Sequence, residues 1–273
     1  MRGRYERALL AARDVGDLIR GRRPELTPPR RLQVGGGRGS FERVGEIWLS
    51  LLVDSAGLRP DSRVLDIGCG PGRVAIPLTS YLDQGRYEGF DIYWPAIRWC
   101  RRHISRRHPH FRFRLATVEN RMYSPRGDQA ASSFTFPYPD GCFDVAFAAS
   151  VFTHMRPQEV DRYLGEAARV LVPDGRLVSS FFLLNEDSER YLGEDAPGEL
   201  PFELEDSSGR SYRTFDRETP EHRIALRERD VRDMHASAGL GITAIEYGRW
   251  SRRTESRGRR QDLVIAERTA LTD

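Results

Sequence analysis

The segment Arg63-Val64-Leu65-Asp66-Ile67-Gly68-Cys69-Gly70-Pro71-Gly72-Arg73 constrains this chain more than any other. Its apolar first half reads as a buried strand, and three glycines within five positions read as a tight turn opening a helix. Glycine is needed where backbone angles exclude other residues, and where a ligand must approach main chain without a Cβ in the way. The amides of such a turn, with the helix N-terminus behind it, suit a nucleotide-like ligand. A lone glycine pattern is weak evidence, so the next strand matters. It ends Phe90-Asp91-Ile92, with Asp91 placed 25 residues after Asp66. There its carboxylate either accepts from both hydroxyls of a ribose or caps the following helix.

Short apolar runs alternate with helical patterns from Arg63 onward, the signature of repeated βα units and a parallel sheet. Strands are expected near Arg63–Ile67, Tyr87–Ile92, Phe111–Ala116, Phe143–Ala149 and Arg176–Phe182, with two more near Ile242–Tyr247 and Asp262–Ala266. The fourth is almost continuously apolar, as a strand covered on both faces should be. Val160, Leu164, Ala167 and Leu171 recur at helical spacing, and Pro173-Asp174-Gly175 should end that helix. Pro77 should kink or delay the helix after the first strand. A further helix runs from Arg229 to Ala238, before Gly239.

Outside this core, residues 1–34 read as a basic N-terminal arm with a helix over Tyr5–Ile19, followed by a flexible loop, Gly35–Gly39, and a helix over Glu42–Ala56. The core is expected to occupy 35–184 and 224–268. Residues 185–223 read as an irregular insertion. Asn185 to Asp206 holds nine acids against one arginine, and a stretch this long serves as a lid or as a solvated loop.

Composition excludes several classes. At 273 residues the chain can bury a full core without disulfide or metal staples, and Cys69, Cys100 and Cys142 lack zinc spacing. No apolar run reaches the roughly 20 residues of a membrane span, and the arginine-studded N-terminus lacks a signal-peptide core, so the expectation is a cytoplasmic protein. All 43 basic residues are arginine, which removes lysine chemistry, and the net charge of +3 is too small to imply nucleic acid. His103, His108 and His110 sit in an arginine-rich turn and read as a solvated helix end rather than a metal site.

Together these residues resemble class I S-adenosylmethionine-dependent methyltransferases. Val64 to Gly72 is similar to their first signature, Asp91 to their acidic second one, and Phe136 to Asp144 to the stretch leading into their fourth strand. Arg169 to Gly175 is similar to their approach to the fifth. Ser150-Val151-Phe152-Thr153-His154-Met155, Phe182-Leu183-Leu184-Asn185 and Gln261-Asp262 resemble one bacterial branch. Nicotinamide dinucleotide binding competes, but Gly68 to Gly72 lacks the GxGxxG spacing.

The resemblance implies an α/β, Rossmann-like, seven-stranded and mostly parallel sheet with helices on both faces, the last strand antiparallel, the N-terminal helical arm, and the insertion after the fifth strand. It implies S-adenosyl-L-methionine as cofactor and S-adenosyl-L-homocysteine as product. It assigns Gly68, Gly70 and Gly72 to backbone contact, Asp66 to the methionine portion and Asp91 to the ribose. Cys69, Ile92, Thr117, Val118 and Ser150 complete the cofactor set. Many relatives carry an acid for the adenine amino group where this chain has Thr117, so that role falls to Glu119, Asn120 or main chain.

His154 lies five residues past the fourth strand, where an acceptor should enter. It acts there as a general base, which hydroxyl methylation needs, or else packs under the cofactor or caps the next helix. Ala149-Ser150-Val151-Phe152 replaces the Asn/Asp-Pro-Pro-Tyr/Phe of base-amine methylation, Cys142 precedes the strand instead of lying in a nucleophile loop, and no acid ends the strand to hold Mg²⁺. The expected reaction is a metal-free O-methylation of a small molecule such as a sugar, glycan or secondary metabolite. RNA or protein methylation, and a cofactor-binding accessory without catalysis, are the alternatives. Tyr212, His222, Trp250 and Arg253 are the expected acceptor contacts. The arginines from Arg249 to Arg260 either bind an acceptor phosphate or carboxylate or form a solvated hairpin.

Overall fold

Ser40 opens the first long helix, α1 (Phe41–Ala56). Its Oγ accepts from the Arg43 amide at 3.1 Å, and Gly57 closes the helix at φ +63°. The computed structural model describes residues 14, 26–33, 40–121, 123–194, 200–252 and 259–269. The expected Tyr5–Ile19 helix, apart from Asp14, and the Gly35–Gly39 loop lie outside them. Asp14 is buried and accepts from the Arg30 amide at 2.6 Å and the Arg31 guanidinium at 3.1 Å.

Then follow β1 (Arg63–Ile67), α2 (Ala75–Leu78), β2 (Arg86–Asp91), α3 (Trp94–Cys100), β3 (Phe111–Leu115), β4 (Phe143–Ala148), α4 (Pro157–Val170) and β5 (Leu171–Phe181). After them come β6 (Leu183–Leu184), α5 (Glu186–Glu194), β7 (Phe202–Glu205), β8 (Ser211–Thr214), β9 (Ile224–Arg227), α6 (Glu228–Ser237), β10 (Leu240–Glu246) and β11 (Asp262–Arg268). Seven strands form one sheet in the order β10-β11-β5-β4-β1-β2-β3, with β11 antiparallel to both neighbours and the other pairs parallel. This is the Rossmann-like sheet expected.

Strand alternation sorts the core into two layers. Leu65, Ile67, Ala146 and Ala148 face one cluster with Val160, Leu164 and Ala167 of α4 and Met234 of α6. Val64, Val145 and Phe147 face the other with Leu51 and Leu52 of α1, Leu78 of α2 and Ile97 of α3. From β1 the chain winds outward to β2 and β3, then returns to β4 on the other side. The crevice at the C-terminal ends of β1 and β4 is therefore the topological switch point, where open α/β sheets bind ligands.

Pro77 limits α2 to four residues. Having no N–H, it leaves the Arg73 carbonyl without its helical donor, and α1 closes on that oxygen. A Cβ on Gly45 would lie 2.3 Å from it. α4 ends earlier than the Pro173-Asp174-Gly175 signal, because Leu171 already pairs with Phe143. Residues 172–175 bulge out, with Asp174 at φ +61°, before Arg176 pairs with Val145.

Among the described residues of 185–223, Glu186–Glu194, Phe202–Glu205 and Ser211–Thr214 are regular elements where an irregular insertion was expected. β7 and β8 join a second sheet of order β6-β9-β8-β7, which takes its other two strands from either side of the insertion. The acid excess misleads because its countercharges are remote in sequence. Arg227 of β9 pairs with Glu203 at 2.5 Å and with Glu189 at 3.4 Å, and Arg213 of β8 reaches Glu189 at 3.9 Å. Among the described residues, no helix is long and apolar enough to cross a membrane.

Candidate active site

At the end of β1 the chain turns sharply, and the amides of Gly68 and Cys69 both donate to the Phe90 carbonyl at 2.9 and 3.0 Å. This ties the turn to the end of β2. Two of the glycines do different work. Gly70, at φ +51°, has nothing within 4 Å of where a Cβ would stand. A Cβ on Gly72, at φ +79°, would meet the Ile104 Cδ1 at 2.7 Å and the Cys100 Sγ at 3.3 Å.

Asp91 closes the turn from the other side. Its Oδ2 accepts from the Gly70 amide and its Oδ1 from the Tyr93 amide, both at 2.7 Å. Burial raises its pKa, and the bonds from Tyr93, Gly70 and Ile92 oppose that rise. Each carboxylate oxygen offers more than one lone pair, so both keep capacity for a further donor. Asp66 is 2% exposed and accepts from the Tyr87 hydroxyl at 2.6 Å. Burial takes its pKa up to about 8, with the Tyr87 hydrogen bond lowering it and the Asp91 charge adding to the rise.

Beyond β4 the chain makes the 3₁₀ turn Phe152–His154. Ser150 precedes it at φ +60°, in the left-handed region that side chains rarely adopt. Its amide donates to Ser180 Oγ and its hydroxyl to Gln261 Oε1, both at 2.8 Å. His154 Nδ1 lies 2.7 Å from the Glu221 carbonyl. A carbonyl only accepts, so Nδ1 carries the proton and Nε2 of the neutral ring is an acceptor. Burial lowers the pKa of His154, as do the nearby charges of His222 and Arg223, against the raising effect of the backbone hydrogen bonds. Glu221 is itself held, its Oε1 accepting from Arg156 Nη2 at 2.8 Å.

One cavity of about 1150 Å³ joins these parts. Of the expected cofactor residues, Asp66, Gly68, Cys69, Gly70, Asp91 and Ile92 line it. Val118, Ser150, His154, His222 and Trp250 line it as well. Three expected residues do not. Gly72 is required by packing against Ile104 and Cys100. Thr117 is exposed, its carbonyl engaged by the Asp128 and Gln129 amides, while Glu119 and Asn120 reach the cavity. Tyr212 is 3% exposed and packs in the main core on β8. Arg253 and Arg257 lie outside the described residues.

Trp250 reaches the wall with its indole N–H already donated to Asp262 at 2.6 Å. The insertion touches the cavity through Glu221, His222 and Arg223, and no described residue of its acidic part does so. Arg156, Gln261, Phe182 and Glu221 are wall residues that sequence reasoning missed. Phe182 and Gln261 fall in segments the sequence singled out without a role, while Arg156 and Glu221 belong to no local motif and are brought in by long-range contacts. His103 stacks on Trp99, and His108 and His110 pack edge-on against Phe111. Among the described residues no group could hold a metal ion, and the three cysteines are free.

Comparison with known proteins agrees with this layout. Residues 64–175 match the family described as "Methyltransferase domain". The chain is 34% identical over 129 residues to 27-O-demethylrifamycin SV methyltransferase of Amycolatopsis mediterranei, covering 46% of this chain and 41% of that one. It is 30% identical over 131 residues to demethylmenaquinone methyltransferase of Thermus thermophilus, covering 48% and 52%. The chain thus spans about half the length of the curated relatives it matches. A crystal structure of a Pyrococcus horikoshii protein shares the fold, with a TM-score of 0.55 at 19% identity over 86% of this chain and 93% of the other. The family match thus runs from β1 into β5, the part of the sheet that carries the glycine turn and Asp91.

Proposed function

We propose that the chain is an S-adenosylmethionine-dependent methyltransferase that O-methylates a small molecule. The observation carrying this reading is the bond from the Gly70 amide to Asp91. It fuses the glycine turn and the acidic strand end into one wall of a cavity that continues to His154. The residues fit the cofactor. Gly70 leaves open space where a side chain would stand, and Asp91 keeps lone pairs for ribose hydroxyls.

S-adenosylmethionine supplies a methyl on a sulfonium, so the acceptor oxygen forms its bond to carbon as the carbon–sulfur bond breaks and the electron pair returns to sulfur. Asp91 would hold the ribose, and Glu119 or Asn120, which line the same cavity, would serve the adenine. Asp66 faces the methionine portion. His154 Nε2 takes the proton that the acceptor hydroxyl loses, while the Glu221 carbonyl fixes the ring and the Arg156–Glu221 pair fixes that carbonyl. No step in this reading passes through a metal. The small-molecule class is supported by the two relatives, whose names describe methyl transfer to a demethylated rifamycin and a demethylated menaquinone.

Asp66 supplies a test of the methionine subsite. With a pKa of about 8 it holds its proton at pH 7. An ammonium beside it favours the carboxylate, so S-adenosylhomocysteine binding at pH 7 should release up to one proton. Calorimetry in two buffers of different ionisation enthalpy should then give different apparent enthalpies, and Asp66→Asn should remove the difference. Equal enthalpies for the unsubstituted protein would remove this assignment.

The whole reading is tested by incubating the protein with methyl-labelled S-adenosylmethionine and metabolite extract, then following the label by mass spectrometry. Label on the oxygen of a small molecule is expected. Label confined to RNA or protein would contradict the acceptor class. Binding of S-adenosylhomocysteine with no label transferred anywhere would favour the accessory reading.

A further inference from the structure

The charges on the cavity wall are unevenly placed. Asp66, Asp91 and Glu119, with only Arg73 and Arg121 beside them, belong to the glycine turn, the end of β2 and the segment after β3. At the His154 end both wall carboxylates are committed. Glu159 accepts from the Arg156 amide and Glu221 from the Arg156 guanidinium, each at 2.8 Å. Arg223, after the Glu221 segment, and Arg249, Arg252 and Arg260, on the hairpin after β10, line the same cavity. Arg259 is tied to Glu246, whereas Arg249 and Arg260 have no carboxylate partner among the described residues.

These guanidiniums are held close to His154 by the chain itself. Arg249 and Arg260 stand on the two arms of the hairpin between β10 and β11. The arms are joined by bonds from the Arg249 amide to the Arg259 carbonyl at 2.8 Å and from the Trp250 amide to the Arg260 carbonyl at 3.0 Å. Asp262 clamps the base, accepting from the Gly248 amide and the Trp250 indole. Gln261, next to Arg260, bonds Ser150 and lies 3.4 Å from the Thr153 hydroxyl, so the hairpin is fastened to the turn that carries His154. Arg223 follows Glu221 by two residues, and its guanidinium lies over the Phe182 ring, which packs against Trp250 at 5.2 Å.

We propose that the acceptor carries an oxyanionic group, a carboxylate or a phosphate, bound by Arg249 and Arg260 beside the hydroxyl presented to His154. This rests on the methyltransferase reading and names the class of acceptor within it. Guanidinium groups gathered in a partly enclosed cavity repel one another and disfavour a neighbouring sulfonium. An oxyanion offsets both effects, and the planar fork of arginine binds it through paired N–H donors. Phe182 and Trp250 supply the apolar floor on which the remainder of the acceptor rests.

The test titrates the protein, saturated with S-adenosylhomocysteine at low ionic strength, with inorganic phosphate, benzoate and uncharged benzamide. At least one anion should bind tenfold or more tighter than benzamide, and the better of the two identifies the source of the charge. The R249Q/R260Q double variant should weaken that anion at least tenfold while holding S-adenosylhomocysteine within about twofold of the unsubstituted protein. Arg249 and Arg260 enter the bonds that join the hairpin arms through main chain only, so the substitutions leave those bonds intact. If the double variant loses S-adenosylhomocysteine as well, R249Q and R260Q are read singly in its place. Benzamide binding as tightly as both anions, or anion affinity unchanged by the substitutions, overturns the proposal. Failure of the unsubstituted protein to bind S-adenosylhomocysteine would instead overturn the methyltransferase reading, and the anion titrations repeated without it would still decide this one.

Discussion

Asp91→Ala is expected to weaken S-adenosylhomocysteine binding by at least about 100-fold, measured by calorimetry at pH 7.5. Two hydroxyls donating to one carboxylate contribute about 1.5–3 kcal/mol each, and roughly 3 kcal/mol already corresponds to about two orders of magnitude in affinity. The substitution also removes the acceptor for the Gly70 and Tyr93 amides, so the turn that should receive the cofactor loses its fixed shape. Asp91→Asn keeps one carbonyl oxygen and should fall between the two proteins. Affinity unchanged in the alanine variant would remove the ribose assignment.

His154→Ala should lower kcat by roughly 10² to 10⁴, the usual contribution of a positioned base, with S-adenosylhomocysteine affinity unchanged. The pH profile separates this role from a structural one. Because burial lowers the pKa of His154 below the ordinary 6.5, the ring is already neutral at pH 7. The rate should therefore be flat at and above neutrality and should fall on the acid side, through a pKa below 6.5, as the base becomes protonated. The alanine variant should lose that acid limb along with most of its turnover. A variant with full turnover on an identified acceptor would contradict the assignment.

The parts of this layout that could be read in advance are local ones. β1, β2 and β4 are marked by apolar runs, and the glycine turn by its own composition, because strand period and backbone permissiveness act over a few residues. Which glycine leaves open space in the cavity wall and which is required by packing was not legible. Gly70 and Gly72 look alike in sequence, and only the position of Ile104 tells them apart. The second sheet was hidden for a related reason. β6 is two residues long and pairs with β9, and two of the acids between them, Glu189 and Glu203, find their countercharges on Arg213 of β8 and Arg227 of β9. The acceptor end was the least legible. His154 is oriented by a carbonyl 67 residues later, and Ser150 by a side chain 111 residues later. Tyr212, an aromatic residue in a candidate lid, proves to be core because β8 turns it inward.

The account depends on Asp91 and the turn after Ile67 forming a single pocket for an adenosyl group. A crystal structure of the protein soaked with S-adenosylhomocysteine tests this most directly. The ribose hydroxyls should lie within hydrogen-bond distance of both Asp91 oxygens, with the chain beyond the ribose passing over Gly70 toward Asp66. Density for the ligand elsewhere on the protein, with Asp91 bonded only to its own backbone, would contradict the account.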